Sequence, residues 1–263
     1  MVIKLKVFIS TILLCVSTQL TFSQILPKLI FVRGGAFQMG NNNAGTDEKP
    51  VHTVILSDFS IGKYEVTVAE YKVFCRETKK KMPPLPNKQW YEEHEDVKKW
   101  VWRNKYPMLN VSWNDAMAYC KWLSKKTGQK YTLPTEAQWE YAARGGQKSN
   151  NYKFSGSNNI NMVAWYDETT HEKGPRPVGL LKPNELGIYD MSGNAWEWCF
   201  DKYGRYKGTV SRNPKGPKNG NFRVIRGGSW YYIDDMARIT SRDGPYPHYA
   251  NYNYGFRLVK LPH

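Results

Sequence analysis

The chain has 263 residues with 38 Lys and Arg against 23 Asp and Glu, a formal net charge of +15. That length supports one sizeable domain that buries its own core, and 10 Trp, 18 Tyr and 10 Phe supply the bulk. No period of the length used by solenoids or propellers recurs, which excludes repeat architectures.

The first residues read as a secretory signal rather than as part of the fold. Lys4 and Lys6 precede an apolar run from Val7 to Val16, and small or polar residues follow to Gln24. Cleavage is expected after Ser23, which makes residues 1–23 the signal and 24–263 the mature domain. The run is interrupted by Ser10 and Thr11 and falls short of the about 20 apolar residues of a spanning helix. No transmembrane anchor is therefore expected. The protein reads as exported, to the periplasm, the cell surface or the medium.

Loss of Lys4 and Lys6 leaves the mature part at +13. Basic clusters lie at Lys79–Lys81, at Lys98 and Lys99, and along 202–218. Such charge suits an acidic glycan, anionic lipid or nucleic acid, or simply a solvated surface. No nucleic-acid-binding motif accompanies it, so nucleic acid is not expected as a partner.

Leu29–Gly40 reads as two short strands around Gly34-Gly35, a hairpin-like signal. "HTVILSDFSIG" adds another strand. Helix one follows, opened by Thr67 and Glu70 at capping-box spacing with Tyr71, Phe74 and Cys75 on one face. Residues 80–110, with Met82-Pro83-Pro84-Leu85-Pro86, read as a long irregular loop carrying His94.

Ser112 and Asp115 cap helix two, whose apolar face is Ala116, Tyr119, Cys120 and Leu123 and whose stop is Gly128. Thr135 and Gln138 open a short helix three that ends at Gly145. Brief strands are expected at "RPVGLL", "FRVIRGGSW", "ARITSR" and "YGFRLVK". The sum is an α+β domain of low regular content. Mature cysteines are Cys75, Cys120 and Cys199. Cys75 and Cys120 either pair or act as small buried apolar groups.

Four stretches in order carry a resemblance: "FVRGGAFQMG"; "NVSWNDAMAYCKWLSKKTGQKYTLPTEAQWEYAARGG"; "NELGIYDMSGNAWEW"; and "FRVIRGGSW" with "YGFRLV". Together they resemble the formylglycine-generating-enzyme, or sulfatase-modifying-factor, family across almost the whole mature chain. The resemblance implies a C-type-lectin-like fold with calcium-stiffened loops. The family's enzymes oxidise a sulfatase cysteine to formylglycine with a cysteine pair on copper(I), a soft ion suited to thiolates. The first thiolate position corresponds to Tyr232, and the second falls near Ala237. No cysteine follows Cys199, so no copper and no catalytic residues are expected.

Relatives that form sulfur–carbon bonds use iron on a histidine-rich motif in an extra domain. The five histidines here, His52, His94, His171, His248 and His263, show no such pattern. Calcium is implied at "YDMSGNAWE", with Asp190, Gly193, Ala195 and Glu197 as ligands. A second calcium site is implied at Asn161 and Met162. Ser229, Trp230, Tyr232 and Arg242 hold the frame of the family's substrate cleft. Two functions follow from the resemblance, besides the formylglycine-generating oxidase itself, which the missing cysteines leave as the least expected reading. One is a binding or assembly module for a cell-envelope protein or acidic glycan. The other is an enzyme of different oxidative chemistry, like the members implicated in pigment or siderophore maturation.

Overall fold

The computed structural model describes residues 26–85, 95–171 and 173–262. The expected signal peptide, His94 and His263 lie outside those residues.

Three helices form where local caps dictate them: α1 (Val68–Thr78), α3 (Trp113–Thr127) and α4 (Glu136–Ala143). At α1 the Thr67 hydroxyl accepts from the Glu70 N–H at 3.3 Å while Glu70 accepts from the Thr67 N–H at 2.6 Å. Two otherwise orphaned donors are satisfied together. Ser112 with Asp115 and Thr135 with Gln138 repeat the device. Gly128, at φ +70°, ends α3 as expected.

The apolar faces of α1 and α3 meet, with the Tyr71 and Tyr119 rings stacked at 5.9 Å. Between these helices and the strands below sits one core, built on Met108, Trp196, Trp198 and Phe256. A second core gathers Val54, Ile61, Trp139 and Val224 around α4, every residue of which is buried. A short helix, α2 (Glu95–Trp100), lies in the stretch expected to be wholly irregular. A single turn, α5 (Asp167–Thr170), follows α4.

The strands form four small sheets. The first orders β1 (Leu29–Val32), β4 (Phe59–Gly62), β13 (Val259–Lys260) and β5 (Tyr131–Thr132). The second orders β11 (Arg242–Asp243), β10 (Arg223–Arg226), β8 (Trp196–Lys202) and β12 (Tyr254–Gly255). The third holds β2 (Gly35–Met39), β3 (His52–Leu56) and β9 (Ser211–Arg212), and the fourth β6 (Ala164–Trp165) and β7 (Ser192–Gly193). This is the expected α+β class with little regular structure.

Several strand expectations are corrected. The hairpin around Gly34-Gly35 does not form: β1 pairs with β4, and β2 pairs with β3 in another sheet. A Cβ on Gly34 would lie 2.2 Å from the Leu56 carbonyl oxygen, so the chains cross there too closely for a side chain. "HTVILSDFSIG" is two strands, β3 and β4, split at Ser57-Asp58. "RPVGLL" is not a strand, because its N–H groups are claimed separately. Arg176 donates to the Asn194 side chain, Val178 to the Lys105 carbonyl and Gly179 to Asp190. "ARITSR" is mostly turn and reaches a strand only at Arg242, and "YGFRLVK" divides between β12 and β13 in different sheets.

Candidate functional site

The chain around β7, from the turn before it to the turn into β8, is built on left-handed residues: Asp190 at φ +56°, Gly193 at +76° and Asn194 at +61°. Gly193 is required there, since a Cβ would meet the Trp165 carbonyl oxygen at 2.3 Å. Its N–H donates to the Gly227 carbonyl and that of Asn194 to the Trp165 carbonyl, both at 2.8 Å. The turn is thus pinned between β6 and the Gly227-Gly228 segment, and β8 then carries Glu197 into the interior.

Glu197 and Arg257 pair there through both ends of the guanidinium, Nε to Oε2 and Nη2 to Oε1, each at 2.6 Å. Trp139 Nε1 donates to Glu197 Oε2 at 2.7 Å. Two further carboxyls share this interior. Asp190 Oδ2 accepts from the Gly179 N–H at 2.7 Å, and Glu65 accepts from the Asn194 amide at 3.1 and 3.2 Å.

Burial pushes the Asp190 carboxyl up to about 6, with the Glu197 charge adding to it. Burial pushes Glu65 well above the carboxylate range, and the charges of Asp190 and Glu197 push it the same way. Three carboxyls therefore face one guanidinium. Neutrality requires either protonation or added positive charge. The implied calcium donors, Asp190, Glu197 and the Gly193 and Ala195 carbonyls, are an oxygen mixture that suits calcium; here both Glu197 oxygens accept from Arg257, and Asp190 Oδ2 accepts from the Gly179 N–H. Side chains alone do not form such a site: among the described residues no three His, Cys, Asp or Glu converge in a metal-holding group. Half of the calcium set is backbone.

The implied second site has a different character. Asn161 Oδ1 and Glu168 Oε2 both accept from the Tyr166 hydroxyl, whose proton serves one of them at a time, at 2.9 and 3.1 Å. The Met162 carbonyl accepts from the Lys182 N–H at 3.0 Å. Asn161, Met162 and Glu168 lie at the surface, Tyr166 is buried beneath them, and the group forms a hydrogen-bonded unit without a buried charge deficit.

The expected cleft residues separate into two places. Gly227 and Gly228, at φ +101° and +73°, turn the chain after β10. Ser229 is buried beneath that turn. Trp230 is buried against Trp100, donates from Nε1 to the Tyr252 carbonyl at 3.1 Å, and accepts on its own carbonyl from the Thr170 hydroxyl at 2.7 Å. Tyr231, Tyr232 and Ile233 then stand at the surface, 51%, 36% and 55% exposed. Tyr232 lies edge-on to Trp196 at 6.0 Å. Ala237, the approximate second thiolate position, is buried.

Arg242 is directed elsewhere. Its guanidinium pairs with Glu136 through Nε at 2.7 Å and Nη2 at 2.8 Å, and lies over the Tyr203 and Tyr206 rings. It belongs to a buried network that also links Glu136 and Glu140 to Arg226.

Cys75, Cys120 and Cys199 are all free thiols buried in the core, the bland alternative for the first two. His52 packs on Tyr206 and His248 on Tyr246, so neither points to an iron site. Sequence reasoning missed Glu65, Trp139 and Arg257. The signal for Arg257 was its place between Phe256 and Leu258, since an arginine in an apolar closing segment needs a buried anion.

Comparison with known proteins adds four findings. The model of the sulfatase-modifying factor enzyme 1-like domain matches residues 18–262. The chaperone protein LppX of Paenibacillus barcinonensis is 33% identical, over 81% of each chain. The inactive C-alpha-formylglycine-generating enzyme 2 of Mus musculus is 30% identical, over 94% of this chain and 90% of that one. Among solved structures, PvdO from Pseudomonas aeruginosa superposes with a TM-score of 0.77 at 27% identity, covering 90% of this chain and 95% of its own.

Proposed function

Because the chain belongs to the sulfatase-modifying-factor family yet carries no cysteine after Cys199, the region in which the resemblance puts the copper-binding pair, we propose that it is an exported, non-catalytic member that binds or helps assemble a cell-envelope protein. Its α+β, C-type-lectin-like fold is the family's. The absent thiolates carry the reading. A phenol and a methyl group cannot hold copper(I) as two thiolates do, and no cysteine follows Cys199.

The binding face is the segment that replaces the oxidase centre. Tyr231, Tyr232 and Ile233 are exposed side by side, yet Trp230 and Trp196 hold the segment rigidly from below. Rigid aromatic groups lose little conformational entropy on binding, which is why interfaces favour them. An inactive relative and a relative named as a chaperone are consistent with a role in binding. Calcium enters as a structural ion at Asp190, Gly193, Ala195 and Glu197. There it offsets buried charge and stiffens the turn that supports Trp230, whose N–H donates to the Asn194 carbonyl at 3.0 Å.

The test is crosslinking in the source envelope followed by affinity capture, with Tyr231→Ala/Tyr232→Ala as the comparison. A stoichiometric partner lost in the variant, at unchanged melting temperature, bears the reading out. Capture that ignores the variant moves the interface elsewhere, and no partner at all removes the assembly role.

A further inference from the structure

From Lys202 to Ile233 the chain contains no acidic residue, while Lys202, Arg205, Lys207, Arg212, Lys215 and Lys218 crowd its first half. The structure gathers part of that run around a cavity of about 570 Å³ between the loops flanking β9 and the start of α4. Lys202, Arg205, Lys207 and Lys218 stand on its wall, and Arg242 lies at its floor in the Glu136 pair. Lys202 Nζ donates to the Lys218 carbonyl at 2.8 Å. Arg205, Lys207 and Lys218 have no carboxylate partner among the described residues.

The frame of this cavity is fixed. Gly216, at φ +73°, lies so close to Asp201 that a Cβ would meet the Asp201 Cβ at 2.8 Å. A Cβ on Gly204 would meet Pro217 Cγ at 2.9 Å. The two loops therefore lock against each other and against β8, and the cations project from a rigid backbone. Other groups on the wall are those that recognise a polyol. They are the hydroxyls of Thr209 and Ser211 and the flank of Tyr206, on which His52 packs at 4.8 Å. Asp201 at the floor is fully buried beside Glu136, and burial first, then that charge, raises its carboxyl well above the ordinary range.

We propose that this cavity is a binding site for an anionic saccharide carrying sulfate or carboxylate groups. Its volume lies within the range of small-ligand pockets. Unpaired cations in a concave wall concentrate negative charge more than the same cations on a convex face. The hydroxyl and aromatic groups favour a sugar over an acidic peptide, which would need an extended groove. The inference stands apart from the proposed protein partner, since the Tyr231–Ile233 face contributes nothing to this cavity.

Titration by fluorescence anisotropy tests it with four labelled probes: a heparin-derived sulfated hexasaccharide, hexagalacturonate, neutral maltohexaose and a hexaglutamate peptide. Arg205→Glu/Lys207→Glu changes two exposed cavity side chains, and Lys79→Glu/Lys81→Glu reverses the same charge away from it. The expected result is binding of an anionic sugar, weakened about tenfold or more by the cavity pair and much less by the control pair. A preference for the sulfated hexasaccharide identifies sulfate as the recognised group, and a preference for hexagalacturonate identifies carboxylate. Equal losses in both variants, equal binding of hexaglutamate, equal binding of maltohexaose, or no sugar binding would each overturn the proposal.

Discussion

Arg257 and Glu197 form a two-point ion pair in which neither side chain retains any exposure to solvent. Arg257 also donates from Nη1 to the Gly62 carbonyl at 3.0 Å and from Nη2 to the Tyr189 carbonyl at 3.0 Å. One side chain thus joins the first sheet, the turn before β7 and the start of β8. Arg257→Ala leaves a third buried carboxyl without its counter-ion and is expected to cost about 3–5 kcal/mol. Arg257→Lys should lie between, since it keeps the charge and loses the fork. Urea denaturation measures both, and a loss of under about 1 kcal/mol for the alanine variant would show that the pair is dispensable.

Gly193 offers a sharper contrast with Gly128. Both have positive φ, but a Cβ on Gly128 meets nothing within 4 Å whereas one on Gly193 strikes the Trp165 carbonyl. Gly128→Ala should cost about 1 kcal/mol, the price of the left-handed conformation alone. Gly193→Ala should cost more than about 3 kcal/mol because the β6–β7 pairing must shift. Similar melting temperatures for the two variants would contradict this reading.

Calcium bound as proposed would be coupled to pH through Asp190. Its carboxyl is raised to about 6 in the folded chain, above its unfolded value. Without the ion, the folded state therefore holds the proton more tightly between those two values. Stability from this group is present at low pH and declines as pH rises through about 6. Bound calcium reverses the preference by favouring the ionised form. Chelator should lower the melting temperature by several degrees at pH 7.5 and much less at pH 5. Asp190→Asn should abolish the chelator effect. Equal melting curves with and without chelator at pH 7.5 would remove calcium from the account.

The copper route has a direct assay. Purified protein incubated with copper(I) and a sulfatase Cys-x-Pro-x-Arg peptide should leave the peptide unmodified, because Tyr232 and Ala237 offer no thiolate. Detectable aldehyde would overturn the non-catalytic reading.

The helices were legible because their determinants are local. Thr67, Ser112 and Thr135 each find their partner three residues on, and Gly128 stops α3 by its own geometry. Strand partners were not legible, because β1 and β2 are neighbours in sequence and strangers in space. β8 escaped for another reason: from Trp196 to Cys199 both of its faces are buried, so no alternation marks it as a strand. At the site, the motif around Asp190 and Glu197 could be located from sequence. Its counter-charge could not, since Glu65 and Arg257 arrive from distant segments. Arg242 was placed with Ser229 by the family resemblance, and Glu136 draws it elsewhere.

The first sheet has an uncommon assembly order. β13, made from residues 259–260, is an interior strand between β4 and β5. A ribosome-bound chain that has not yet released those residues holds two open strand edges, those of β4 (Phe59–Gly62) and β5 (Tyr131–Thr132), with nothing between them. Arg257 emerges equally late, so the buried carboxyls wait for it as well. Completion of this sheet is thereby postponed until residues 259–260 have emerged. A chain stalled or cleaved a few residues early should be recognised as incomplete by any protease that searches for unpaired edges.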